Sequence, residues 1–124
     1  MAAAISEAEA RVMEALWRDN PLSAEQVVAD VAKAQGWTEA TVKTLLNRLL
    51  RKKAITAKRD GRRYLYRPRL KREDYVAAES RDLLDRLFDG KLAPFIAHFS
   101  ERQNLSSEEI AELKKLIRGL DDGR

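Results

Sequence analysis

The sequence predicts a mainly α-helical chain that carries one small β-hairpin. Capping signals built on Ser or Thr stand at the head of amphipathic stretches. The apolar period becomes strand-like after residue 53 and helical again after residue 70. An Asp60-Gly61 pair separates two β-prone runs, which is a strong hairpin signal.

Ser6-Glu7-Ala8-Glu9 reads as a capping box, with Glu9 three residues after Ser6. It opens a first helix with Ala8, Val12, Ala15 and Leu16 on one side, which Asn20-Pro21 stops. Ser23-Ala24-Glu25-Gln26 is a second box, and the helix it opens buries Ala24, Val27, Val28, Val31 and Ala32. Gly36 suits the left-handed exit. Trp17 and Trp37 are expected to pack near the helix junctions, with stacking on nucleic acid as the alternative.

The third helix begins at Thr38, an N-cap, with Glu39 in the first turn. Val42, Leu45, Leu46, Leu49 and Leu50 form one apolar stripe. The opposite face carries Ala40, Thr44, Asn47, Arg48 and Arg51, with Thr41 and Lys43 on its flanks. No acid occurs between Val42 and Arg59. A surface helix usually mixes both signs, so this face is built to meet something negative. Ile55-Thr56-Ala57 and Tyr64-Leu65-Tyr66 are the strand runs, with Lys58, Arg59, Asp60, Gly61, Arg62 and Arg63 between them and Pro68 at the end. Four cations at a hairpin tip suit a phosphate clamp; charges that blunt an exposed edge are the alternative.

Helices are expected from about 71 to 88, which Asp89-Gly90 breaks, over the apolar run Leu92–Phe99 with Pro94 in its first turn, and after a third capping box, Ser106–Glu109. They expose more apolar surface than so small a unit buries alone. Leu83, Leu84, Leu87, Phe88, Phe95, Ile96, Phe99, Ile110, Leu113, Leu116 and Ile117 are therefore expected to form a dimerisation surface. Packing on the first three helices is the alternative.

Charge follows the same division. Of 124 residues, 24 are basic and 20 acidic, for a net +4. Residues 1–72 carry +8 and residues 73–124 carry −4, and within 43–72 thirteen basic residues face one acid, Asp60. Such a block is the electrostatic footprint of phosphate binding. There is no Cys and one His, which excludes disulfides, a thiolate metal site and a histidine zinc site, and fits a reducing cytosol. No catalytic grouping and no cofactor or metal site is read. No apolar run is long enough to span a membrane, and MAAAISEAEA lacks a secretory leader's basic n-region. The expected location is the cytoplasm.

Three helices followed by a hairpin is the order of a winged helix-turn-helix. The expected organisation is a winged-helix DNA-binding domain at 1–70 and a helical dimerisation region at 71–124. The chain resembles the penicillinase-repressor (BlaI/MecI) family of bacterial regulators. The resemblance rests on Ile5–Glu9 with Val12–Trp17, Gly36–Thr38 with Thr41–Leu49, Tyr64–Tyr66, Leu87–Gly90 with Phe95–Phe99, and Leu105–Leu113. It implies a homodimeric repressor on an inverted-repeat operator with TACA/TGTA-like half-sites. It also implies control of β-lactamase or resistance genes, with a membrane metalloprotease sensor as partner. Relief by proteolysis falls, by the same resemblance, at His98–Phe99. The best-known members have Asn before that Phe; a buried Phe99 beside an exposed helical His98 is the structural reading of the pair. Two further departures are Lys53, where a C′ glycine is common, and Glu39-Ala40, where a basic residue is common. A copper-responsive branch of the family binds metal through paired cysteines near its C-terminus; this chain has no Cys, which excludes copper sensing by that route.

Thr41, Thr44, Asn47 and Arg48 are the expected base readers: Asn pairs with adenine, Arg with guanine, and Thr methyls meet thymine methyls. Thr38, Lys43, Arg51, Lys52, Lys58, Arg59, Arg62 and Arg63 are expected at the backbone or neighbouring minor groove. A winged-helix module that holds RNA or a protein partner on this basic face is the competing reading.

Overall fold

A computed structural model describes residues 4–102 and 105–123. The first three residues of the expected leader-free N-terminus, and Arg124, lie outside the described residues. The elements follow in chain order as α1 (Glu7–Arg18), β1 (Leu22–Ser23), α2 (Ala24–Gln35), α3 (Glu39–Arg51), β2 (Ile55–Asp60), β3 (Arg63–Pro68), α4 (Arg72–Phe88), α5 (Leu92–Arg102) and α6 (Ser107–Asp122). The chain divides into two compact units, Met1–Ala77 and Ala78–Arg124.

In the first unit both capping boxes close. Ser6 Oγ accepts from the Glu9 amide at 3.0 Å, and Ser6 N–H donates to Glu9 Oε1 at 2.8 Å. Ser23 and Gln26 repeat the exchange at 3.2 and 2.8 Å. Each box satisfies amides that a helix start leaves unpaired. Gly36 ends α2 at φ 72°, a left-handed conformation that costs glycine nothing. The three apolar stripes meet: Val12, Met13 and Leu16 of α1, Val27 and Val31 of α2, and Val42, Leu45, Leu46 and Leu49 of α3 form one buried cluster with Leu22, Ala54 and Ile55. Met13 is a core member that the α1 pattern did not single out.

The sheet has three strands in the order β1-β3-β2, all antiparallel. Strand β1 is an addition to the expected hairpin; Leu22 pairs with Tyr66 and Ser23 with Leu65. The hairpin is longer than its β-prone runs. Asp60 pairs with Arg63, so the turn is only Gly61-Arg62. Gly61 occupies the first turn position at φ 64°, where a side chain would be strained.

Lys53 accounts for the missing C′ glycine. Its φ of 62° places a non-glycine residue in the left-handed region. Ala54 N–H donates to Leu49 O and Lys53 N–H to Leu50 O, both at 3.0 Å. This is the paired bonding of a Schellman end. The helix thus stops where glycine would stop it, at some cost in backbone strain.

The division between units falls inside α4 rather than at residue 70, because the start of α4 belongs to the first unit. Trp17 Nε1–H donates to Leu70 O at 2.9 Å, and its ring meets that of Tyr75 at 5.5 Å. Arg72 lies 3.5 Å from Glu14.

In the second unit, Asp89 and Gly90 turn the chain with φ 56° and 75°. Phe88 packs edge-on against Phe95 at 5.4 Å, and Phe95 against Phe99 at 5.0 Å. Helix α5 runs on to Arg102, beyond the apolar run that suggested it. At α6 only half of the expected capping box forms: Ser106 Oγ accepts from the Glu109 amide at 3.0 Å, and the Glu109 side chain does not return the bond.

Candidate nucleic-acid interface

The outward face of α3 is presented by its inward one. Val42, Leu45, Leu46 and Leu49 are 4% exposed or less, which fixes the helix rotation on the core. That rotation leaves Ala40, Thr41, Lys43, Thr44, Asn47, Arg48 and Arg51 all exposed. Ala40, Thr41, Thr44, Leu45 and Arg48 line a shallow depression of about 320 Å³. Small residues at its centre let a flat partner come close to the helix backbone.

Hydrogen bonding narrows what each group can offer. Thr38 Oγ1 caps α3 by accepting the Thr41 amide at 3.1 Å and donates to Thr41 Oγ1 at 3.1 Å. Thr44 Oγ1–H donates to Ala40 O at 3.0 Å. A hydroxyl has one proton, so Thr44 meets a ligand only as an acceptor or through its methyl group. Among the described residues, Asn47, Arg48 and Arg51 have no side-chain partner and keep their full capacity.

Two of the expected backbone cations on this helix are engaged within the protein. Lys43 Nζ lies 2.8 Å from Glu39 in an exposed i,i+4 pair. The Glu39 carboxylate holds the Lys43 ammonium above its ordinary pKa, and Lys43 holds Glu39 below its own. Such a pair opens readily. Lys52 differs. Its ammonium lies 2.6 Å from Glu9 Oε1 and 2.9 Å from Ala4 O. Glu9 is 1% exposed, although its sequence position suggested only a capping acid. Burial pushes the Glu9 carboxyl up, but the Lys52 ammonium and the Ser6 amide and hydroxyl together hold it below the ordinary carboxylate value. Lys52 is therefore a tie between the start of α1 and the end of α3, rather than a free phosphate ligand.

The wing places Lys58, Arg59, Arg62 and Arg63 at one end but on different faces. Residues opposite each other in the ladder share a face. Arg59 pairs with Tyr64, so these two share the side that also carries Ile55 and Tyr66. Tyr66 packs on the core. Lys58 and Arg63 lie on the other side, with Arg67, and Arg62 occupies the turn. Arg63 lies 3.6 Å from Asp60. Arg59 Nε–H donates to Gly61 O at 3.0 Å, and the guanidinium sits 5.8 Å from the Tyr64 ring centroid.

Of the expected dimerisation residues, Phe88, Phe95 and Phe99 meet edge-on, and Ile96, Ile110, Leu113, Leu116 and Ile117 line one groove. Helices α5 and α6 contain no buried residue, and neither does α4. Leu83, Leu84, Phe88, Phe95, Ile96, Phe99 and Leu113 are half-buried, while Leu87, Ile110, Leu116 and Ile117 are exposed. An apolar groove of about 870 Å³ runs along α5 and α6, lined by Leu92, Ile96, Leu113, Leu116 and Leu120 among others. His98 is exposed beside half-buried Phe99 within α5. Among the described residues, no acid, His or Cys cluster could hold a metal ion. None of their helices is long and apolar enough to cross a membrane.

A three-helix core that presents one polar, cationic helix face beside a cationic hairpin defines a winged-helix protein of the DNA-binding type. The chain belongs to the penicillinase repressor family, which it matches over residues 5–119. It is 33% identical over 113 residues to the penicillinase repressor of Bacillus licheniformis, covering 91% of this chain and 88% of that one. It is 27% identical over 113 residues to the methicillin resistance regulatory protein MecI of Staphylococcus aureus strain N315, covering 91% and 92%. The solution structure of the monomeric form of Bacillus licheniformis BlaI in complex with the blaP half-operator superposes with a TM-score of 0.54 at 31% identity, over 60% of this chain and 92% of that one. The family is one of transcriptional repressors, not enzymes.

Proposed function

We propose that this chain is a homodimeric, sequence-specific repressor acting in the cytoplasm on an inverted-repeat operator with TACA/TGTA-like half-sites. The observation that supports it most is the exposed face of α3, where Thr41, Thr44, Asn47 and Arg48 stand on a rigid core without an acid among them. Asn47 and Arg48 pair bidentately with adenine and guanine edges, and the Thr41 and Thr44 methyls meet thymine. Arg51, with Lys43 once released from Glu39, lies beside them for phosphate, as do Lys58, Arg62 and Arg63 of the wing. Lys52 drops out of this set because Glu9 holds it.

The apolar faces of α4 to α6 support a second copy as their cover. Two recognition helices then read half-sites about one turn, ~34 Å, apart. Repression is occupancy of the promoter; induction is loss of the joined binding. Family membership further suggests β-lactamase or other resistance genes as targets. By the same reasoning, a membrane metalloprotease sensor is the upstream partner and cleavage of His98–Phe99 the releasing step. Such a cut separates α6, with Ile110, Leu113, Leu116 and Ile117, from the interface.

Selection from random duplexes, followed by competition against random DNA and RNA, tests the reading. A palindrome bound well above both is expected; equal competition by RNA or random duplex rejects it. In the same assay Asn47→Ala costs about 1–3 kcal/mol on the selected site alone, whereas Arg62→Ala weakens all duplexes alike and flattens the salt slope.

A further inference from the structure

The cations of the wing are not held alike, and the difference singles out Arg59. Among the described residues, Lys58 and Arg62 have no partner, and Arg63 stands next to the carboxylate of Asp60. Arg59 alone is fixed without being neutralised. Its Nε–H donates to Gly61 O at 3.0 Å across the turn, and its guanidinium rests 5.8 Å from the centroid of Tyr64, directly opposite in the ladder. Tyr64 is 48% exposed, a large ring left in solvent with no core to fill. Both contacts leave the two terminal nitrogens of Arg59 free. The side is the one turned toward the helical core, because Ile55 and Tyr66 on the same face pack into it. A long, flexible side chain is thus pre-ordered on the core-facing side of the wing. Ordering it in advance removes an entropy cost that a free Lys58 or Arg62 meets on binding.

We propose that Arg59, positioned by the Tyr64 ring and the Gly61 carbonyl, is a specificity-determining residue: it enters the minor groove beside each half-site and favours A·T-rich flanks. The inference rests on the operator-binding reading above. A narrow A·T minor groove concentrates negative potential. A guanidinium is less strongly hydrated than an ammonium and so loses less on entering it. Phosphate contact alone needs neither a planar group nor a fixed one. The pinned geometry therefore separates Arg59 from its neighbours, which hold phosphates. Tyr64 is a positioning residue, acting through the guanidinium it supports.

The test measures dissociation constants of the full chain on two duplexes that share the selected half-sites and differ only in A·T or G·C flanks. The native chain should prefer A·T flanks by about fivefold to tenfold. Arg59→Lys keeps the charge and should bring the ratio to less than about twofold, while discrimination between half-site and scrambled sequence persists. Tyr64→Ala should reduce the ratio similarly, and Tyr64→Phe, which keeps the ring, should restore it. Circular dichroism melts of each variant show whether the fold is retained. A flank ratio near one in the native chain, or one unchanged in Arg59→Lys, overturns the proposal while leaving operator binding intact. Loss of half-site discrimination in the native chain overturns the reading on which it stands.

Discussion

Helices α3 and α6 are written alike and buried unlike. A hydroxyl caps each, Thr38 in one and Ser106 in the other. Each carries an apolar stripe at helical spacing. In α3 Val42, Leu45, Leu46 and Leu49 are 4% exposed or less, whereas in α6 Ile110, Leu116, Ile117 and Leu120 are 41–71% exposed. The reason lies outside the helices. Stripes of α1 and α2 and the base of the sheet converge on α3. Helix α6 lines an apolar groove with α5 and buries none of its residues. Amphipathicity states that a face must be covered; the neighbouring elements decide whether its own chain covers it.

The largest break in this comparison comes from equal truncations on the two stripes. Leu46→Ala removes a side chain that is 1% exposed and is expected to cost about 2–5 kcal/mol in urea denaturation. A loss under about 1 kcal/mol would mean that the first core is not closed. The matching Leu116→Ala, at a residue 59% exposed, should leave the unfolding of dilute chain within about 0.5 kcal/mol.

Glu9 tests what holds α3 in place beyond its stripe. Its native carboxyl titrates below the ordinary 4.5, so the charged form favours folding. This contribution is fully present above 4.5 and is lost as pH falls through the lower native value. Glu9→Gln should cost roughly 1–3 kcal/mol at neutral pH, less than breaking a fully buried pair because the Lys52 side chain is 30% exposed. Denaturation series from about pH 6 down to about pH 3 should converge for the native chain and the variant. Parallel losses would assign the acid sensitivity to other groups.

Leu116→Ala returns with a second readout. If a second copy covers α6, sedimentation equilibrium should show dimerisation weakened by about 1–2 kcal/mol, near tenfold. An unchanged association constant would place the interface elsewhere. The smallest effect is expected at the end of α3. Lys53→Gly relieves the left-handed strain at φ 62° and should stabilise the first unit by about 0.5–1 kcal/mol in the same urea assay.

The sequence made the local grammar legible. Ser6, Ser23, Thr38 and Gly36 cap where their types and spacing placed them, and the apolar stripes of the first three helices became the core. What escaped depends on distance along the chain. Strand β1 is two residues long and exists only because β3 offers Leu65 and Tyr66 to pair with. Glu9 reads in the sequence as a capping acid, but Lys52, 43 residues away, gives it an ion-pair partner in its buried position. The wing cations clustered in sequence, but strand alternation sends them to opposite faces, and the pinning of Arg59 needed the ladder register to be seen. The first turn of α4 reads as part of a tail until Tyr75 is found against Trp17.

The His98–Phe99 bond lies inside α5, in a regular helix whose aromatic face is packed through Phe88, Phe95 and Phe99. Proteases take their substrates extended, so any enzyme that addresses this bond acts on the small fraction of chains in which α5 has opened. When opening and closing are fast, the rate of cutting follows that fraction. Under cutting at this bond, each ~1.4 kcal/mol of aromatic packing would lengthen the lifetime of the chain tenfold. In such a chain the phenylalanines keep time.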